Sequence, residues 1–169
     1  MPTSTETIQF IKLASIPFLE FNRMSSREFS NMLVAIDGSD HSIKAAEYAL
    51  TIAKIYGAVL HAVTVTYVPE SYHMKQEDTI DKSTDRTHDV KSWFETFTQA
   101  AKENNIQLKP ELVNSHRPVD YVLLEYAEQE KIDLIVIGTR GRSGFKRLLL
   151  GSVASGVVTY AHCPVIVVK

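Results

Sequence analysis

The chain of 169 residues carries a formal net charge of -2, with 44% hydrophobic and 22% charged residues. These values suit one compact domain, and they exclude wholesale disorder and a polybasic nucleic-acid binder. The single cysteine, Cys163, excludes an intrachain disulfide and a cysteine-rich zinc site; beside Pro164 it is expected to pack as a small hydrophobe in a reducing, cytoplasmic setting.

Residues 1–30 read as an extension ahead of a domain at 31–169. Met1 to Thr7 is polar and expected to be mobile. The apolar residues between Ile8 and Phe21 hold no single period, so the expectation there is a short docking helix interrupted near Pro17. Lys12, Glu20 and the lack of a preceding basic stretch argue against a signal peptide. Met32–Asp37 is an apolar run ending in an acidic turn, which predicts a buried strand, and Asp37, Ser39 and Asp40 offer N-cap oxygens for a first helix. Ile43, Ala46, Ala49, Leu50 and Ala53 recur at helical spacing, and Gly57 supplies a C-cap. Val59–Val68, rich in Val and Thr, predicts a second strand.

Pro69 to about Asp85 is polar and charged and reads as a mobile loop. Val90, Trp93, Phe94, Phe97 and Ala101 form the core stripe of a second helix, which Asn104-Asn105 can end. Gln107–Val113 predicts a third strand. Pro118 suits the first turn of a third helix, with Val119, Val122, Leu123, Tyr126 and Ala127 on its buried face. Leu134–Ile137 is a continuous apolar run typical of a strand covered on both faces. Val153, Val157 and Tyr160 mark a last helix, and Pro164–Val168 a final strand. The uncharged stretch from Leu148 to Val168 is long enough to suggest a membrane span, but Gly151, Ser152, Ser155, Gly156, Thr159 and Pro164 break it up, so no transmembrane segment is expected.

Strand and helix thus alternate. The expected fold class is α/β: a single-domain, open, five-stranded parallel sheet with helices on both faces. Such sheets bind ligands beyond the carboxyl ends of their strands, at the point where the strand order reverses. Two such ends stand out here, Asp37-Gly38 and Gly138 onward.

Glycine is scarce, at 7 residues, yet five of them lie between Gly138 and Gly156. Gly138-Thr139-Arg140-Gly141-Arg142-Ser143-Gly144 begins where a buried strand ends, and Gly151-Ser152 stands where a helix begins. Glycines let backbone amides approach a ligand closely, and a helix N-terminus favours an anion. Ser152 adds a hydroxyl at the expected N-cap, and Arg140, Arg142, Lys146 and Arg147 supply cations. Together these suit a polyphosphate. A loop that needs glycine only for turning is the plainer alternative. Neither a GxxxxGK[ST] loop nor a GxGxxG turn is present, so a P-loop NTPase and a dinucleotide site are not expected. Gly156 lies within the last helix and is assigned to close packing.

These residues resemble the universal stress protein family. Its ATP-binding members carry Gly, two residues, Gly, nine residues, Gly, then Ser or Thr, and Gly138, Gly141, Gly151 and Ser152 fill every place. Met32–Ser39, Asp133–Gly144 and Cys163–Lys169 are similar to the family's opening, fourth and closing strands, so the resemblance covers about residues 31–169. It implies a Rossmann-like, adenine-nucleotide-binding fold. By the resemblance Ala35 and Ile36 line the base, Asp37 approaches the ribose or adenine, and Val65 packs on or bonds to adenine. Gly138, Arg140 and Gly141 wrap ribose and phosphates, with Ile137 in the same site. Gly151, Ser152 and Val153 hold phosphates. Two places depart from the pattern: Thr64 stands where many members have His, and Asn114–Pro118 lacks the glycine often found before the third helix.

The cofactor so implied is ATP or another adenine nucleotide, with Mg2+ accompanying the phosphates. The implied role is a regulatory module in stress response. Two alternatives stay open: a slow ATPase or nucleotide phosphotransferase, and an interaction protein that binds no nucleotide. No catalytic residue and no metal ligand is assigned. The resemblance places the final strand at a sheet edge, where a flat apolar strand invites pairing. It therefore implies a homodimer through Pro164–Lys169, its two final strands antiparallel.

Overall fold

The computed structural model describes residues 10–12, 29–67, 83–141 and 150–169, the first three and residues 83–92 by backbone alone. The expectations for Met1–Thr7, for a helix near Pro17, for most of the Pro69–Asp85 loop, and for Arg142, Ser143, Gly144, Lys146 and Arg147 lie outside these residues.

The elements in chain order are β1 (Phe10–Lys12), β2 (Asn31–Ala35), α1 (Asp40–Tyr56), β3 (Val59–Tyr67), α2 (Ser83–Glu103), β4 (Leu108–Ser115), α3 (Val119–Gln129), β5 (Leu134–Gly138), α4 (Ser152–Tyr160) and β6 (Val165–Val168). The strand order is β1-β6-β5-β2-β3-β4. β2 to β6 are mutually parallel, as expected of the five-stranded sheet with its four helices. One element departs from the expectation. Phe10–Lys12 is a strand, running antiparallel to β6, so β6 is not the outermost strand of the sheet. The chain runs outward from β2 through β3 to β4, then crosses back to β5. The strand order therefore reverses between β2 and β5.

Alternate residues of each strand serve two cores. Met32, Val34, Leu60, Ala62, Leu134 and Val136 face α1 and α2, against Ala45, Ala46, Ala49, Ala53, Phe97 and Ala101. Leu33, Val63, Ile135, Ile137, Val165 and Val167 face α3 and α4, against Leu123, Ala127, Ala154 and Val157. Both cores are apolar because helices cover both faces of the sheet. Buried Cys163 belongs to the second core, and burial, with Asp133 second, pushes its thiol up to about 11, so it stays an inert hydrophobe.

Several element ends have identifiable causes. Gly57 closes α1 in the left-handed region, at φ 66°, its N–H donating to the Ala53 carbonyl. Asp133 ties the entry of β5 to that of β2: its Oδ2 accepts from the amides of Ser30 at 2.8 Å and Asn31 at 3.3 Å. α2 starts at Ser83, earlier than its apolar stripe announces. α4 buries Ala154 and Val157, but Tyr160 is 74% exposed and is not part of its packed face. Helix Ser152–Tyr160 and then β6 occupy the uncharged stretch, and among the described residues no helix is long and apolar enough to cross a membrane. Gly156 sits where α4 meets α3; a Cβ there would lie 2.1 Å from Asp120 Oδ2, so close packing explains this glycine.

Ser42, His61, Thr64 and Thr139 are the buried polar side chains among the described residues. His61 on β3 is fully buried beneath α3, with Nδ1 2.9 Å from Tyr126 Oη and 4.0 Å from Glu130 Oε2. Burial, then Lys109, hold its imidazole below its ordinary value, against the pull of Glu130. Burial, with Glu111 and Glu130, pushes the Tyr126 phenol up to about 12. Neutral His61 is therefore the folded form, whereas the unfolded chain takes up a proton near 6.5. The unfolded state binds more protons below that pH, so stability is full above it and declines as the pH falls. The melting temperature should drop between pH 7 and pH 5, and the drop should be shallower in His61→Leu. Parallel pH profiles for the two proteins by circular dichroism would exclude His61 as the cause.

Candidate functional site

The exits of β2 and β5 lie side by side at the reversal of strand order. The exit of β2 is a built turn. Gly38 takes φ 79°, a conformation that side chains disfavour. Beyond it, the Ser39 amide and hydroxyl both donate to Asp37 Oδ1, at 3.0 and 2.6 Å. The Ser39 oxygen also accepts from the Ser42 amide, which makes Ser39 the N-cap of α1. Asp37 is thus not the cap. Its carboxylate is oriented from one side by Ser39, and its Oδ2 points toward Gly141, where a Cβ would come within 2.6 Å.

The exit of β5 is pressed against this turn. A Cβ on Gly138 would lie 2.7 Å from the backbone carbon of His41, in the first turn of α1, so only glycine fits beneath that helix. The Thr139 amide donates to the Val168 carbonyl at 2.8 Å, and the Thr139 carbonyl accepts from the Gly151 amide at 2.7 Å. That second bond pins the start of α4 to the end of β5. It also settles the cap: Gly151, in extended conformation, is the N-cap of α4 and makes no side-chain cap bond. Ser152 is the first helical residue instead, and it is exposed. Its hydroxyl is not spent on capping its own helix. First-turn amides have no intrahelical acceptor, and they carry the positive end of the helix dipole.

Between these turns lies a cleft of 190 Å³, against about 10–15 Å³ for one water on the same measure. Ala35, Ile36, Asp37, Val65, Ile137, Gly138, Arg140, Gly141, Gly151, Ser152 and Val153 all line it. The cleft thus brings together all eleven residues that the resemblance assigns to the nucleotide. It adds Ser42, Val63, Val119, Leu123, Thr139 and Ala154. Val63 shares the strand face of Val65, and Thr139 lies inside the glycine motif, so a period-of-two reading could have found both. Val119 and Leu123 come from α3, whose approach no local pattern announces.

The lining is divided by chemistry. β3 and α3 contribute only apolar side chains, Val63, Val65, Val119 and Leu123. The polar groups, Asp37, Ser42, Thr139, Arg140 and Ser152, come from the β2 and β5 exits and the first turns of α1 and α4. One side of the cleft thus suits a flat apolar body, and the other a polar one, with hydroxyls beside Asp37 and an anion beside Arg140 and the start of α4.

Both departures from the sequence pattern fall outside the cleft. Thr64 is buried on the opposite face of β3 from Val63 and Val65. The entry to α3 is held by Ser115 Oγ, which accepts from the Arg117 amide at 3.0 Å, by Pro118 at the N-cap, and by Arg117, which pairs with Glu125 and lies 4.7 Å over the Tyr121 ring. Among the described residues no cluster of His, Cys, Asp or Glu could hold a metal ion.

Residues 28–169 match the Universal stress protein family. Universal stress protein MJ0531 of Methanocaldococcus jannaschii is 34% identical over 142 residues, covering 83% of this chain and 82% of its own. Universal stress protein YxiE of Bacillus subtilis is 34% identical over 155 residues, covering 83% and 99%. Among solved structures, the universal stress protein UspA of Lactobacillus plantarum superposes with a TM-score of 0.66 at 27% identity, over 85% of this chain and all of that one. A universal stress protein in complex with cAMP gives 0.61 at 24% identity, over 84% and 98%. One from Archaeoglobus fulgidus in complex with dAMP gives 0.60 at 22%, over 84% and 99%. With a family match through nearly the whole chain after residue 28 and relatives at this level of identity, the chain belongs to the universal stress protein family.

Proposed function

We propose that this protein is an adenine-nucleotide-binding regulatory module, with ATP or a related adenylate in the cleft between β2, β5 and α4. The observation that carries the reading is the divided lining, an apolar wall facing a glycine-built anion cradle. The adenine packs against Ala35, Ile36, Val63 and Val65. Asp37 accepts from the ribose hydroxyls. The backbone of Gly138 to Gly141, the Arg140 side chain, the first-turn amides of α4 and the Ser152 hydroxyl take the phosphates. The fit is carried by the missing side chains: a Cβ on Gly141 would reach Asp37, and one on Gly151 would lie 3.3 Å from the Thr139 carbonyl. Mg2+ would ride on the phosphate oxygens, since the phosphate side offers amides, a hydroxyl and a guanidinium rather than carboxylates. The relatives with cAMP and dAMP support an adenylate as the ligand class.

In this reading the protein holds nucleotide rather than turning it over. Hydrolysis needs a group that positions water in line with the phosphates. In this reading Asp37 is turned to the ribose rather than to the phosphates, and one of its oxygens is already bonded to Ser39. The reading extends to a cytoplasmic homodimer through Pro164–Lys169 acting in stress response, without nucleic acid.

The test is mass spectrometry of any nucleotide released from the purified protein, then incubation with ATP and magnesium. Retained ATP supports the module, and turnover to ADP replaces it with a slow ATPase. No nucleotide, and no rise in melting temperature with ATP in large excess, overturns the reading; a ligand at 100 times its Kd would add about 2.7 kcal/mol of stability.

Two glycine substitutions should separate site from fold. Gly141→Val should weaken ATP binding at least about tenfold by calorimetry, equal to about 1.4 kcal/mol, while leaving the circular dichroism spectrum native. Gly138→Ala should act on the fold instead. Its Cβ would meet backbone, so a loss of about 1–3 kcal/mol is expected, lowering the melting temperature by several degrees with or without ligand. Unchanged affinity in Gly141→Val would remove that loop from the site.

A further inference from the structure

The two sides of the parallel sheet are finished differently. β4 forms one edge of the sheet and carries Lys109, Pro110 and Glu111 in mid-strand, all exposed. Charges and a proline on an edge strand resist pairing with another chain. β6, on the other side, is Val165-Ile166-Val167-Val168, with neither charge nor proline. Its outer edge is covered by β1, antiparallel, with Phe10 opposite Val167, Ile11 opposite Ile166 and Lys12 opposite Val165.

β1 is an addition to the family core. It lies ahead of residue 28, where the family match begins. Its own strand is three residues long, and among the described residues it pairs with β6 alone. Among the described residues three positions pair it to the sheet, short of the about five or six of a usual strand, so few backbone bonds hold it there. The edge beneath it is also self-complementary. About a two-fold axis, a second β6 would run antiparallel, as β1 does, and place Val or Ile opposite Val or Ile throughout. Both occupants need the same row of backbone N–H and C=O groups, so they exclude one another.

We propose that β1 is a cover in cis on the outer edge of β6, one that must leave before β6 of a second copy of this chain docks there. The proposal rests on the homodimer reading above and adds what controls it: the segment ahead of the family domain sets the monomer–dimer balance. β1 held on β6 gives a monomer, and β1 released gives a dimer.

The full chain tests this with β1 locked and released. Ile11 and Ile166 are directly paired, and paired strand positions lie within disulfide reach, so Ile11→Cys/Ile166→Cys can be oxidised. The oxidised variant should run as a covalent monomer on a non-reducing gel and remain monomeric by light scattering, and reduction should restore dimerisation. Ile11→Pro, which disrupts β1, should dimerise with a Kd at least tenfold below that of the unaltered chain. ATP affinity should be the same in all, since neither position lines the cleft. If the oxidised variant dimerises as tightly as the reduced one, the homodimer stands but its interface lies elsewhere, and the proposal falls. A covalent dimer on the gel that Ile166→Cys alone does not form would show β1 pairing in trans and overturn the cis cover. Monomers throughout, Ile11→Pro included, would overturn the dimer reading and this proposal with it, while leaving nucleotide binding to its own test.

Discussion

The site depends on close approaches of the backbone that a Cβ would obstruct. The exit of β5 passes beneath the first turn of α1 at Gly138, runs beside the Asp37 carboxylate at Gly141, and returns to the start of α4 at Gly151. Each contact brings main-chain groups close to a neighbouring element with nothing between them. The hydrogen bond from the Gly151 amide to the Thr139 carbonyl then closes the turn. A side chain at the first position would drive the β2 and β5 exits apart, and one at the second would displace the Asp37 carboxylate. The clustering of scarce glycines in one part of the chain is therefore a statement about packing.

Much of this was legible in the sequence because it rests on local rules. Strand and helix alternation, the apolar run at Leu134–Ile137 and the left-handed cap at Gly57 follow from periodicity and from backbone preference. The eleven residues read as a site converge because they lie at strand exits and a helix entry, which this architecture gathers at one end of the sheet.

Where the sequence misled, a distant partner decided. Serine is a better N-cap than glycine by local preference, yet Gly151 caps α4 because its amide is bound to Thr139, in the preceding turn. Ser83-Thr84-Asp85 reads as loop chemistry, yet α2 already includes it. Phe10–Lys12 is hardest to see: three residues carry no period, and what makes them a strand is the edge of β6, supplied by the far end of the chain. Val119 and Leu123 enter the cleft for the same reason, through a helix whose approach is set by its packing on β3 and α4.

The alanine stripe of α1 has a mechanical consequence. Ala45, Ala46, Ala49 and Ala53 are all sealed against the sheet, at 1% exposure or less. Side chains this small act as thin spacers and let the helix axis ride low over β2 and β5. That low ride is what brings the His41 backbone down onto Gly138. The stripe works as a shim whose thickness sets the gap at the mouth of the cleft, turns of helix away from any ligand. Thickening it with a valine at Ala49 would tilt α1 outward, lift its first turn from the β5 exit, and carry the Ser39 bracket of Asp37 along with it. The dimension of the cleft is thus held in the core by four methyl groups that do not line it.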